Sequence, residues 1–326
     1  MERDKIFQNL VDLHIHLGSS SAPHFLWETA HKQGIKLPTK DYWEFISSIT
    51  ISEKKTYHQY LDYFHLSELI QSSLFAVERA VHHAISSMYR ESNVTLIEIR
   101  FNPMLRNNEN EHDLDKIILA AIIGMKKACL DYPVKAGLIL MMDRRFNAKM
   151  NRIIAEKAAF FKNDGVIGVD LGGPLRNDFK INEVAPAFRI ARKEGLKLTF
   201  HTGEVTDTEE MWEVMDKIAP ERIGHGVKAV EDTKLLKHLS KEKTVLEICP
   251  TSNIKTSVFR NWNSFKTLFR KLDEAKILYT INSDGPVFLK TNVMEEFKKL
   301  LKHNIIKKKD IVKLTEIARE ATFVKV

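Results

Sequence analysis

His14 and His16 flank Ile15 in the apolar run Val-Asp-Leu-His-Ile-His at 11–16. Side chains of an extended strand alternate between its two faces, so residues two apart point the same way. Both imidazoles therefore share a face and can reach one cation. An HxH pair alone does not define a site, but two more residues extend the pattern. His201 closes the run Leu-Lys-Leu-Thr-Phe and opens His201-Thr202-Gly203-Glu204, and Asp284 stands in Asn282-Ser283-Asp284-Gly285-Pro286. Three imidazoles and one carboxylate suit zinc, with room left for water. Glu204, three residues past His201, could exchange protons with such a water or with a ring nitrogen of a substrate. His225 sits between Gly224 and Gly226, whose backbone freedom allows a tight turn that presents a histidine to a pocket. The nine other histidines have no comparable placement and are expected in the core or on the surface.

These residues need a scaffold that gathers strand ends. Short β-branched runs at 11–16, 94–101, 134–141, 166–171, 197–201, 222–225, 244–249 and 277–283 alternate with longer amphipathic stretches. Near-continuous apolar runs fit parallel strands buried on both faces, and the alternation implies βαβ units. Helical patterns cover 113–130, 148–162, 181–194, 208–217, 231–240 and 262–275. Asp113 and Asp207 are the expected N-caps, and Gly195 the terminating glycine. Eight strands predict an α/β fold: a (β/α)8 TIM barrel whose strand ends carry the site on one face. The 326 residues are read as one domain, 1–326.

About 75 residues separate the first two strands, with helical pieces near 23–33, 57–73 and 75–91. A connection this long is rarely idle, and this insertion, about 18–93, would rise from the catalytic face. Trp27, Trp43, Phe45, Phe64 and Leu69 are its candidate roof residues.

Composition narrows the function. The formal charge of +7 comes from 50 Lys and Arg against 43 Asp and Glu. Much of the excess lies in Lys298, Lys299, Lys302 and Lys307-Lys308-Lys309, read as a solvated helix face. No basic stripe interleaved with aromatics predicts nucleic-acid binding, and no apolar run has the length of a membrane span. Two cysteines, Cys129 and Cys249, cannot build a disulfide framework. With no apolar leader in MERDKIFQNL, the expected location is cytoplasmic. Nothing in the sequence sets an oligomeric state.

Taken in order, His14-Ile15-His16, Gly168-Val169-Asp170-Leu171-Gly172-Gly173, His201-Thr202-Gly203-Glu204, Gly224-His225-Gly226, Cys249-Pro250-Thr251-Ser252-Asn253 and Ser283-Asp284 resemble the adenosine/AMP deaminase branch of the amidohydrolases. The resemblance spans the chain from the first strand to the last. It implies hydrolytic deamination of a small purine-type substrate, with one zinc ion held by His14, His16, His201 and Asp284. Glu204 would donate a proton to the purine N1 and His225 would orient the attacking water. Gly173 would offer its amide to N3, with Asp170 and Ser252 as supports behind the ligands. The absence of a lysine from the fourth strand argues against a two-metal site.

Two positions depart from the family pattern. Adenosine-specific members usually carry an Asp that meets the ribose 5′ hydroxyl where this chain has Gly18. They carry a second Asp that meets N7 where it has Gly285. Losing polar contacts with substrate changes discrimination, so a 5′-modified or phosphorylated adenosine, or another aminated heterocycle, is the alternative substrate. A catalytically silent barrel kept as a binding module is the rival from another class.

Overall fold

A strand covered on both faces needs apolar side chains in both directions, and the eight apolar runs take that form. The computed structural model describes residues 5–106 and 113–325. Its strands are β1 (Leu10–His16), β2 (Val94–Phe101), β3 (Lys135–Asp143), β4 (Val166–Gly172), β5 (Lys197–Thr202), β6 (Arg222–His225), β7 (Val245–Ile248) and β8 (Tyr279–Ile281). They pair in parallel, each with the next in sequence. The seam between β8 and β1 is drawn together at the site residues: His16 N donates to Asp284 O at 2.9 Å and Asp284 N to His14 O at 2.8 Å. The fold is the expected (β/α)8 barrel.

Four helices fill the connection from β1 to β2: α1 (Pro23–Lys32), α2 (Tyr42–Ser48), α3 (Tyr57–Ile70) and α4 (Leu74–Ser92). The second was not foreseen from periodicity. At seven residues it is too short to show one, and Asp41 starts it by accepting from the amides of Trp43 and Glu44. The outer helices are α5 (Leu114–Asp131), α6 (Ala148–Phe160), α7 (Ile181–Lys193), α8 (Thr208–Lys217) and α9 (Thr233–Glu242). They continue with α10 (Pro250–Lys255), α11 (Asn263–Glu274), α12 (Pro286–Leu289), α13 (Val293–Lys302) and α14 (Lys308–Ala321). Asp113 and Asp207 cap α5 and α8 as expected, and Gly195 follows α7 with φ +82°.

Insertion and barrel share one core. Leu26, Phe45 and Val81 belong to the same buried cluster as Ile97, Phe200 and Phe288. Of the C-terminal lysines, Lys298, Lys302 and Lys307–Lys309 are exposed as expected. Lys299 is not: its ammonium donates to the hydroxyls of Thr251 and Thr291 and lies 3.6 Å from the buried Glu296 carboxylate. It ties α13 to the segment after β7.

The insertion is locked to the barrel wall by backbone contact. A Cβ on Gly124 of α5 would lie 2.1 Å from the Glu78 carbonyl oxygen of α4. Gly124→Ala should therefore destabilise the fold by about 1–3 kcal/mol, the usual cost of overpacking, despite alanine's better helix propensity. Denaturant unfolding measures this, and an unchanged midpoint would mean that α4 can retreat freely.

Candidate active site

Strand geometry does what the HxH spacing promised. His14 and His16 emerge on one face at the C-terminal end of β1, and His201 meets them from β5 across the barrel mouth. Nε2 of His201 lies 3.1 Å from Nε2 of His14 and 3.2 Å from Nε2 of His16. Asp284, just past β8, brings Oδ1 to 3.3 Å from His16 Nε2 and 3.7 Å from His14 Nε2. Zinc binds imidazole nitrogen at about 2.0–2.1 Å, so donors around one ion stand near these separations. The proton inventory points the same way. Nδ1 of His14 sits 2.6 Å from Glu247 Oε2, and Nδ1 of His201 3.0 Å from Asp170 Oδ2. With each Nδ1 turned to a carboxylate, the Nε2 atoms of His14 and His201 converge on the same point, an arrangement that suits a cation between them. Burial, aided by Arg100 and the other imidazoles for His14 and by the neighbouring imidazoles for His16, holds both rings well below the ordinary histidine pKa and thus neutral. The residues present fit a metal ion.

Beneath the cluster runs a buried column of charge. Arg100 on β2 donates to Asp170 on β4 at 2.8 Å and to Glu247 on β7 at 2.8 Å. These strands are not neighbours, so the contacts cross the barrel lumen. Glu247 also accepts from Arg222 Nε at 2.7 Å and from the Thr199 hydroxyl at 3.1 Å. Arg222 pairs in turn with Glu98, and Phe323 of the C-terminal segment lies 3.5 Å over its guanidinium. Burial opposes ionisation of Asp170 and Glu247, yet the cations beside them prevail and hold both below the ordinary carboxylate range. Asp12 is different: burial pushes it up to about 7, against hydrogen bonds from the Ser283 hydroxyl and the amides of His14 and Ser283.

Glu204 faces the cluster from the loop after β5. Burial first, and then the Asp284 carboxylate, raise its pKa to about 8, while Thr256 and Asn253 pull it back. Asn253 donates to Glu204 Oε1 at 3.3 Å and lies 3.2 Å from His225 Nδ1, so one amide places both groups. His225 and Asp284 adopt positive φ, +62° and +61°, a strained state for residues with a Cβ that characteristically marks functional sites. Gly224 is needed for room: its Cβ would lie 3.1 Å from the rings of His14 and His201. Ser252 sits behind Asp284 and its hydroxyl opposes the upward push of burial on that carboxyl.

The pocket above holds about 670 Å³ including its open mouth. His16, His201, Glu204, His225, Asp284 and Gly173 line it, faced by Tyr57, Tyr60, Leu61, Phe64, His65 and Glu68 of α3. Of the five expected roof residues only Phe64 lines it. Trp43 is 73% exposed, while Phe45 is buried against Trp27 on the outer part of the insertion. His65 is a pocket residue, contrary to its expected place in core or surface, because α3 rather than α1 or α2 covers the mouth. His112 lies outside the described residues. Gly18 and Gly285, expected to touch substrate, are covered by Phe64 and Tyr60. Gly173 takes φ +91° against the Asp143 carboxylate, and its carbonyl accepts from the Tyr57 hydroxyl at 3.2 Å.

The family model for adenosine deaminase matches residues 9–326. Adenosine deaminase of Clostridium kluyveri is 30% identical over 313 residues, covering 96% of this chain and 88% of that protein. The chain belongs to the adenosine deaminase family. Solved structures with the same fold include adenine deaminase from Arthrobacter aurescens (TM-score 0.88, 18% identity, 98% of this chain and 94% of that one). Another is N6-mAMP deaminase from Arabidopsis (TM-score 0.85, 22% identity, 99% and 96%). Family membership makes this chain a hydrolase that deaminates a purine.

Sequence reasoning passed over Glu98, Arg100, Arg222 and Glu247 in this deaminase. A signal was present: each interrupts an otherwise apolar strand run, and a charge buried there must be paired. Their importance can be measured. Glu247→Gln leaves Arg100 and Arg222 short of a partner charge and removes the anion that sets the His14 tautomer. Breaking a buried pair costs about 3–5 kcal/mol, and loss of such outer support lowers metal affinity about 10–100-fold. Both should appear, in chemical denaturation and in metal content after dialysis against a chelator. Wild-type retention of metal would refute the orienting role.

Proposed function

We propose that this chain is a zinc-dependent hydrolytic deaminase of 6-aminopurine nucleosides or their derivatives, releasing ammonia and leaving the 6-oxo product. The observation that carries the reading is the convergence of three imidazoles and Asp284 beside a carboxyl group, Glu204, whose pKa is raised to about 8. His14, His16, His201 and Asp284 would hold one zinc ion, favoured by nitrogen and oxygen donors. When bound, zinc supplies Lewis acidity that makes a hydrolytic nucleophile available at neutral pH.

The chain's own groups do the rest. Glu204, protonated, donates to N1 of the purine and so removes the aromatic resistance to addition at C6. His225, fixed by Asn253, orients the attacking water and accepts its proton. The water oxygen bonds to C6 as His225 takes one of its protons; the C6–N6 bond then breaks, the amino group leaves as ammonia with the proton that His225 returns, and the proton left on the C6 oxygen passes to Glu204 as the 6-oxo group forms. Gly173, held by Tyr57, presents its amide toward N3. Asp170 keeps His201 in the tautomer that leaves Nε2 free, and Ser252 steadies Asp284.

The acid form of Glu204 is the active one, and its pKa is raised. Activity is present below that pKa and lost as pH rises through it, giving an alkaline limb in kcat/KM that lies below about 8 once a bound cation offsets the Asp284 charge. Glu204→Gln should abolish the limb and lower kcat by about 10²–10⁴-fold, the range for a general acid. A profile that keeps its alkaline limb in the variant would assign it to another group.

A second reading concerns the 5′ end. Where adenosine-specific relatives would place a carboxylate, this chain has Gly18, and Arg106 Nη2 would stand 3.4 Å from a Cβ there. Arg106 is 1% exposed, and its Nε and Nη1 have no hydrogen-bond partner among the described residues. A cation in place of an anion favours a substrate with a 5′ phosphate or another acceptor-rich group. Ammonia release from adenosine, AMP and 5′-modified adenosines decides between the readings. Arg106→Gln should lower kcat/KM for AMP at least about tenfold, the loss of one charge-assisted contact, and leave adenosine nearly unchanged. Higher kcat/KM for adenosine than for AMP in the wild type would leave the plain nucleoside as substrate.

A further inference from the structure

The glycines at 18 and 285 do not leave gaps. A Cβ at 285 would lie 2.9 Å from the Tyr60 hydroxyl oxygen, and a Cβ at 18 would lie 2.8 Å from the Phe64 ring. Tyr60 and Phe64 stand four residues apart on α3, hence on one face, and pack edge to face with centroids 5.5 Å apart. A side chain at 285 and the Tyr60 hydroxyl exclude each other. The space beside Asp284 is therefore occupied by a phenol from the insertion, within the pocket that Glu204 and His225 also line. Its hydroxyl is 3.5 Å from Asp284 Oδ2, at the far limit of a hydrogen bond, so the proton is only loosely committed there.

Topology says which part of a purine meets that hydroxyl. Glu204 follows β5 and Gly285 follows β8, three strands apart in an eight-stranded ring, so they face the pocket from opposing sides. C6 of a 6-aminopurine lies between N1 and the C5–N7 edge. With N1 at Glu204, the N7 edge turns toward β8 and Tyr60. Unprotonated N7 can only accept, and the phenol is a donor beside it. Building on the deaminase reading above, we propose that the Tyr60 hydroxyl donates to the purine N7, so that α3 sets base specificity in this chain.

The test is a cycle between one oxygen atom on the enzyme and one nitrogen on the substrate. Tyr60→Phe keeps the ring that packs on Phe64 and removes only the hydroxyl. Whichever 6-aminopurine nucleoside or nucleotide the wild type turns over fastest is compared with its 7-deaza analogue. The variant should lose at least tenfold in kcat/KM on the parent substrate and less than threefold on the 7-deaza analogue. Intrinsic reactivity differences between the substrates cancel in this comparison. An equal loss on both substrates would overturn the proposal, since the hydroxyl would then act through Asp284, and so would no loss on either. Absence of ammonia release from any 6-aminopurine by the metal-loaded wild type would instead sink the deaminase reading and this inference with it. As an independent check, Gly285→Asp should lower the melting temperature in the wild-type background and do so less when combined with Tyr60→Phe. Equal melting shifts in both backgrounds would contradict the exclusion on which the inference stands.

Discussion

A carboxylate in the lumen of a barrel has no water to answer its charge, and Glu247 is answered by four proton-bearing partners at once: Arg100, Arg222, His14 and Thr199. The orientation of His14 and, through Asp170 and Arg100, of His201 stands on this arrangement. Three carboxylates, Glu98, Asp170 and Glu247, face two guanidinium groups, Arg100 and Arg222, so the column below the imidazoles has one acidic group more than it has guanidinium groups. A surplus anion in a buried place is costly, and a cation seated among the imidazoles relieves it. The same contacts choose the tautomers. With Nδ1 of His14 and of His201 each held to a carboxylate, only Nε2 remains to bind an ion. The column that makes the lumen electrically tolerable thus also makes the site selective for positive charge.

Barrel closure and site assembly are one event. The β8–β1 seam carries backbone bonds between Asp284 and the two residues His14 and His16, so the strands cannot drift apart without pulling the ligands apart. Asp284 holds its left-handed conformation because amide, carbonyl and carboxyl are each engaged at that seam. His225 is similarly fixed between two glycines and Asn253. Local strain of this kind costs about 1–3 kcal/mol per residue and persists only where the surroundings leave no alternative. Here the surroundings are a closed ring of strands over a packed core.

The eight strands were legible because burial on both faces writes a near-continuous apolar run, and the convergence of His14, His16, His201 and Asp284 because each stands at or just past a strand end. Apart from Asp170 the column was not, because each member is a single charge whose partners lie 25 to 147 residues away, and sequence distance hides them. Asp12 was missed for the same reason: its partner Ser283 is at the other end of the chain. The roof failed differently. Aromatic content pointed to Trp27, Trp43 and Phe45, but periodicity cannot say which of several insertion helices faces inward. Tyr57 and Tyr60 reach the Gly173 carbonyl and Asp284 through their hydroxyls, a property no apolar count detects.

A division of labour follows from where each group sits. The clustered imidazoles, Asp284, Glu204 and His225 stand at strand ends or just past them, in positions that the hydrogen-bonded ring fixes. The facing wall of the pocket comes from α3, whose position depends on the packing of Phe64 against Phe288 and on the shared core. Beside Gly18 and Gly285 the space is taken up from a single face of α3, by Phe64 and Tyr60, while the paired charges below the imidazoles lie within the strands themselves.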